Sequence, residues 1–165
     1  MTITTGATTT ATTDTADQHR LRSEVRAAHV PGTATQVRIT ARDHAFTIDE
    51  PAGLGGDDKG ANPVEHLLAA LGSCQAITFQ VWAQKLGVAL DSVDIELGGD
   101  IDLRGFFGLD ESVRPGFQGI DVRVSISGPE SRERYEQLIA TVEKHCPVLD
   151  NLAHGVPVTT SARIA

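Results

Sequence analysis

Apolar positions along the chain follow two periods, two residues where strands are expected and three to four where helices are. Period two comes first. Residues 23–30, 35–42 (Val37, Ile39 and Ala41 on one face) and 45–49 (Phe46 and Ile48) predict an antiparallel meander, with turns at Pro31-Gly32 and Asp43-His44. A Gly-rich loop follows over 50–61, and Asn62-Pro63 then opens the strongest helical pattern, Asn as N-cap and Pro in the first turn. Val64, Leu67, Leu71, Cys74, Thr78 and Val81 recur at spacings of three and four, which puts Cys74 on the expected buried stripe, and Gly87 ends the helix. Alternation returns at Val93, Ile95 and Leu97, at Ile101 and Leu103, and most clearly at Ile120, Val122, Val124 and Ile126.

A second helix is expected to start between Pro129 and Ser131, with Tyr135, Leu138, Ile139 and Val142 on one face and Cys146 at its end. Pro147 disfavours a helical Cys146, so the helix stops or kinks there. A short helical turn over 149–153 and a strand over 156–164 complete the prediction. Strands, long helix, strands, long helix, strand is the order of an α+β fold, helices against antiparallel sheet, and not of a Rossmann-type alternation.

Composition narrows this picture. The 165 residues, 40% of them apolar, fit one globular domain. With five Phe, one Tyr and one Trp, the core must come from Val, Ile, Leu and Ala, and association with a second copy would add burial. A net charge of -8 without a basic cluster argues against nucleic acid. No apolar run approaches the ~20 residues of a membrane helix. The Thr-rich start has neither the basic nor the apolar region of an export signal, so a cytoplasmic location is expected. Residues 1–20 are expected to be a disordered tail, because so few large apolar side chains cannot offset ordering entropy.

Cys74 and Cys146, the two cysteines of the chain, carry the candidate chemistry. Buried packing is one role, since unpaired Cys is among the most buried residue types. The other is redox. If the two long helices pack together, their stripes bring the sulfurs within disulfide range. Cys146, at a helix C-terminus, would then be the poorer thiolate and the resolving thiol, and Cys74 the nucleophile, provided a cation comes close. A zinc site from Cys74, Cys146, His66 and His145 lacks the usual ligand spacings. A Cys–His hydrolase lacks a visible orienting group and oxyanion hole. The GLGG loop lacks the GK[ST] ending of a phosphate cradle. No cofactor or metal is called for.

EPAGLGGDDKGANPVEHLLAALGSC, ending at Cys74, and EKHCPVLDNLAHGVPV, around Cys146, resemble the OsmC/Ohr family of organic hydroperoxide reductases. The likeness runs from about residue 22 to the C-terminus, making 21–165 one OsmC-like domain. It implies an intertwined homodimer, antiparallel sheets wrapped around two long central helices, and an active site at the subunit interface. It also implies reduction of an organic hydroperoxide through a Cys74 sulfenic acid and a Cys74–Cys146 disulfide, reset by a dithiol reductant, lipoyl-type or other. Arg42 matches the family arginine that holds the thiolate. The acid that partners it directly follows Asn-Pro in the Ohr and OsmC branches; here that position is Val64 and the acid is Glu65. This is similar to an OsmC-like branch with the pattern P-x-E-L-L-L-A-A-L-G-x-C. One residue is about 100° around a helix, and nine residues set Glu65 and Cys74 on opposite faces. Two functions stay open: a peroxiredoxin-like thiol peroxidase using Cys74, Cys146, Arg42 and Glu65, or a non-catalytic scaffold holding a small apolar ligand at the dimer interface.

Overall fold

The computed structural model describes residues 17–164, which divide after Gly60 into two units. Of the expected tail, residues 1–16 lie outside the described residues, and Asp17–His19 form a 3₁₀ turn.

Alternation builds the first unit. Its strands β1 (Arg26–His29), β2 (Val37–Ala41) and β3 (His44–Ile48) pair antiparallel in the order β1-β2-β3. Ile39, paired with Ala27 on one side and Phe46 on the other, is the buried apolar residue of the sheet. The β2–β3 turn falls one residue earlier than the sequence suggested. Ala41 pairs with His44, leaving Arg42 and Asp43 as a two-residue turn, and Arg42 takes the left-handed conformation (φ 53°) that such tight hairpins require.

Past β3 the Gly-rich loop folds around one carboxylate. Asp49 is 1% exposed. Its Oδ1 accepts hydrogen bonds from the Thr35 hydroxyl and the Glu50 amide, and its Oδ2 accepts from the amides of Asp57 and Lys59, both at 3.1 Å. The Thr35 hydroxyl first, and then those amides, hold the carboxyl below the usual carboxylate range against the opposing effect of burial. A folded pKa below the unfolded one gives stability that is present above the unfolded value and lost as pH falls through the folded one. Asp49→Asn sets an NH₂ group against amide donors, so it is expected to lower the urea midpoint at neutral pH. The gap to the parent should close as acid protonates the parent's own carboxyl, and a gap that persists in acid would contradict this role.

The second unit is built on helix α1 (Pro63–Leu86). Asn62 and Glu65 form a reciprocal capping box at its start, and Gly87, with φ 61°, ends it. Strands β4 (Ser92–Ile101) and β5 (Phe117–Ser127) pair antiparallel, joined through the four-residue helix α2 (Leu103–Phe106). Helices α3 (Arg132–His145, N-cap Ser131) and α4 (Pro147–His154) follow. Phe79, Ala83, Val88, Leu138 and Val142 make the buried core between α1 and α3, with Ile95 and Val124 of the sheet packed against it. At Gly72 the helix meets β4 so closely that a Cβ would lie 2.6 Å from a Leu97 methyl.

This is the expected α+β architecture, with three local corrections. Leu103 opens α2 instead of extending an alternating strand, because Asp102 accepts from the Arg104 amide and caps a helical turn there. The short turn expected over 149–153 is the longer α4, started by Pro147 at its first position, where a missing N–H is harmless. Residues 156–164 form no strand. No described strand pairs with them, and alternation without a neighbour to complete the ladder does not make a strand. No described helix is long and apolar enough to cross a membrane.

Candidate active site

The stripe on α1 is split. Leu71 and Thr78 are buried, whereas Val64, Leu67 and Val81 remain between 36% and 42% exposed. Cys74 lies at the boundary, half-buried, and is thereby both packed and reachable. The Thr78 hydroxyl donates to its carbonyl at 2.7 Å.

Cys146 reaches it from the α3–α4 corner. The residue before a proline is pushed out of helical conformation, and Cys146 (φ -82°, ψ 112°) is at once the C-cap of α3 and the N-cap of α4. Its amide donates to the Val142 carbonyl, and its carbonyl accepts from the Asp150 amide. Both ends of the corner are therefore tied down. The side chain is 1% exposed, and its Sγ stands 3.3 Å from Sγ of Cys74, as a thiol donating to the other sulfur. Both cysteines are free.

The surroundings of Cys146 act on its thiol in both directions. Burial above all, and then the neighbouring Cys74, push the Cys146 thiol up. The Leu149 and Val148 amides at the start of α4 pull it down, though neither forms a cap hydrogen bond to the side chain. The sequence placed Cys146 at a helix C-terminus alone, and α4 adds an opposing N-terminus at the same residue. The balance still keeps the proton on Cys146. The difference in exposure, Cys74 half-buried and Cys146 buried, suits a pair in which Cys74 attacks first and Cys146 follows.

Of the four expected site residues, the structure brings Cys74 and Cys146 together. Glu65 serves the α1 cap, its carboxylate accepting from the Asn62 amide at 2.8 Å. Nine residues along a regular helix put it about 14 Å from Cys74 and half a turn around, so it does not reach that sulfur within its own chain. Arg42 is the exposed turn residue of the first unit. The histidines of the candidate zinc set are engaged elsewhere. His66 Nδ1 donates to the Asn62 carbonyl at 3.0 Å, and the His145 ring stacks on Trp82 with centroids 4.3 Å apart.

A cleft of about 380 Å³ has Leu67, Leu71, Val122, Leu149 and Leu152 in its wall, and neither cysteine lines it. Leu71 is three residues before Cys74 and Leu149 three after Cys146, so the cleft closes about one helical turn from each cysteine. A largely apolar concavity of this size suits an alkyl or aryl group. An apolar pocket between helix faces was expected, and α1 and α4 supply part of this wall; the β5 contribution is what only the folded chain reveals.

Residues 56–161 match the model of a family described as OsmC-like protein. Among solved structures, the chain is similar to an OsmC-like protein from Mycoplasma pneumoniae at 19% identity (TM-score 0.69, covering 81% of this chain and 88% of that one). It is also similar to an organic hydroperoxide resistance protein OsmC from Legionella pneumophila at 18% identity (TM-score 0.60, 80% and 89%). A third likeness is to the organic hydroperoxide resistance protein OhrB of Bacillus subtilis at 23% identity (TM-score 0.56, 79% and 89%). Comparison with curated proteins gives no match.

Proposed function

The chain belongs to the OsmC-like protein family, and from that premise we propose that it is a thiol peroxidase reducing organic hydroperoxides. The 3.3 Å approach of a protonated, buried Cys146 to a half-buried Cys74 carries the proposal. The Cys74 thiolate attacks the outer peroxide oxygen, the O–O bond breaks, and the departing alkoxide takes a proton from solvent to leave as an alcohol. Cys74 is then a sulfenic acid. Cys146 displaces its hydroxyl, which leaves as water with the Cys146 proton, and a Cys74–Cys146 disulfide remains. The sulfurs must close by about 1.3 Å to reach disulfide bonding distance. An external dithiol, in a reducing cytoplasmic setting, returns both thiols and is itself oxidised.

A homodimer completes the proposed site. Ile77 and Val81 on the outer side of α1 are 65% and 42% exposed, apolar surface that a second copy would cover. Because Glu65 cannot serve the Cys74 of its own helix, its proposed role with Arg42 is to support a thiolate in the assembled dimer. Relatives named as organic hydroperoxide resistance proteins support the substrate class.

The apolar cleft favours a second function, a scaffold that holds a small apolar ligand with its cysteines only packed. Peroxide titration separates the two. One equivalent of cumene hydroperoxide is expected to consume both thiols and leave a Cys74–Cys146 disulfide in nonreducing peptide maps, which a dithiol then reverses. Thiols that survive the peroxide would reject the peroxidase in favour of the scaffold.

A further inference from the structure

The 3.3 Å approach of the two sulfurs depends on how the α3–α4 corner sits against α1. The backbone hydrogen bonds to Val142 and from Asp150 fix Cys146 within α3 and α4, and neither reaches α1, where Cys74 stands. Side chains must make that second attachment. Phe79, Ala83, Leu138 and Val142 hold the middle of the α1–α3 seam, and the last turn of α3 extends past it. There Glu143, Lys144 and His145 are all exposed, at a helix end of the kind that frays. Of these three, His145 grips α1: its ring stacks on Trp82 with 4.3 Å between centroids and 21° between planes. The indole is a firm seat. Trp82 is half-buried and packs against the Phe79–Val142 core, and Lys85 Nζ lies 4.5 Å from its ring centroid.

Trp82 follows Cys74 by two steps of four, with Thr78 between them bonded to the Cys74 carbonyl, so the three lie within about a quarter-turn of α1. The neighbours His145 and Cys146 therefore reach one side of α1, at points about two turns apart. An exposed histidine resting on an aromatic ring is by itself ordinary surface packing. Its place, one residue before the sulfur that must close on Cys74, gives the stack a further consequence. We propose that His145 is a positioning residue, which by stacking on Trp82 pins the end of α3 to α1 and holds Cys146 beside Cys74. In this role the imidazole matters for its plane and not for its protons. Holding the thiol near its partner beforehand removes disorder that disulfide closure would otherwise have to remove. The effect on turnover rests on the peroxidase proposal; the preorganisation of the thiol pair does not.

The test needs no peroxide. The reduced parent, His145→Ala and His145→Phe are equilibrated with mixtures of oxidised and reduced glutathione. Each Cys74–Cys146 disulfide formed oxidises the two protein thiols and converts one oxidised glutathione to two reduced ones. The fraction of disulfide, read by alkylation and mass spectrometry, gives the effective molarity of the pair. A ring stack is worth a factor of about two to ten in an equilibrium constant. His145→Ala is expected to lower the effective molarity by that factor, and His145→Phe, which keeps a ring and loses the protons, to restore most of it. In the Trp82→Leu background, His145→Ala should cost nothing further. A lower urea midpoint with unchanged effective molarity, a Phe variant as poor as Ala, or an undiminished loss in the Trp82→Leu background would overturn the role. In the peroxide arm, dimedone-trappable sulfenic acid on Cys74 should persist longer in His145→Ala by the same factor. If the parent consumes no peroxide while His145→Ala still loosens the glutathione-driven disulfide, the peroxidase fails and the positioning role stands. Peroxide consumption with the same effective molarity in every variant is the reverse result and removes the positioning role alone.

Discussion

Cys74→Ser is expected to abolish hydroperoxide turnover with a dithiol reductant, by on the order of a thousandfold or more, a barrier increase of ~4 kcal/mol. A serine hydroxyl is a far weaker nucleophile at neutral pH than a thiolate, and the oxygen it would have to accept forms no sulfenic acid. Cys146→Ser is expected to behave differently. Its first equivalent of peroxide still disappears, because Cys74 does the attacking, and a trappable sulfenic acid then accumulates in place of the disulfide. Dimedone labelling followed by mass spectrometry distinguishes the two variants. If Cys74→Ser keeps the parent's rate, or if label appears on Cys146 first, the assignment of roles from burial and proton position is wrong.

The second large effect is structural. Phe79 is 1% exposed and sits between α1 and α3 with Leu138 and Val142, so Phe79→Ala leaves a cavity that neighbouring side chains fill only in part. Such truncations cost ~3–5 kcal/mol, against the ~5–15 kcal/mol that holds a typical domain together. The expected result is a large drop in the urea midpoint, followed by fluorescence of Trp82, the one tryptophan. Ile77→Ala, two residues earlier on the exposed side of the same helix, is the control. In an isolated subunit it should stay within ~0.5 kcal/mol, and in a dimer its cost should grow with protein concentration. Val142 lies one helical turn before Cys146, so loosening this core should also slow disulfide formation. A Phe79→Ala variant as stable as the parent would show that the α1–α3 seam is not the core of the unit.

Local rules made part of this site legible and left the rest hidden. Asn62-Pro63 and Gly87 bracket α1 because caps are set by adjacent residues, and Ser131 and the Cys146-Pro147 step bracket α3 for the same reason. The convergence of Cys74 and Cys146 was expected on the condition that the two apolar stripes pack together, and the sulfurs do lie 3.3 Å apart. Glu65 shows the limit of reading by motif. Its spacing from Asn62 is that of a capping box, and the carboxylate does that work here whatever else an assembled dimer asks of it. Asp49 was not visible at all, since its four partners come from Thr35, Glu50, Asp57 and Lys59, and only the folded loop gathers them. Residues 156–164 failed for the complementary reason: alternation states a capacity to pair, and no described strand pairs with them.

The Cys146 corner sets how the proposed cycle behaves under stress. A sulfenic acid on Cys74 faces two competing fates, capture by Cys146 or attack by a second peroxide that carries it irreversibly to the sulfinic acid. A neighbour clamped between two helices a few ångströms away acts at an effective molarity far above any peroxide concentration in solution. The race is thereby biased toward the reversible product. A protein built this way tolerates bursts of its own substrate, and what limits it is the supply of dithiol and not damage to its nucleophile.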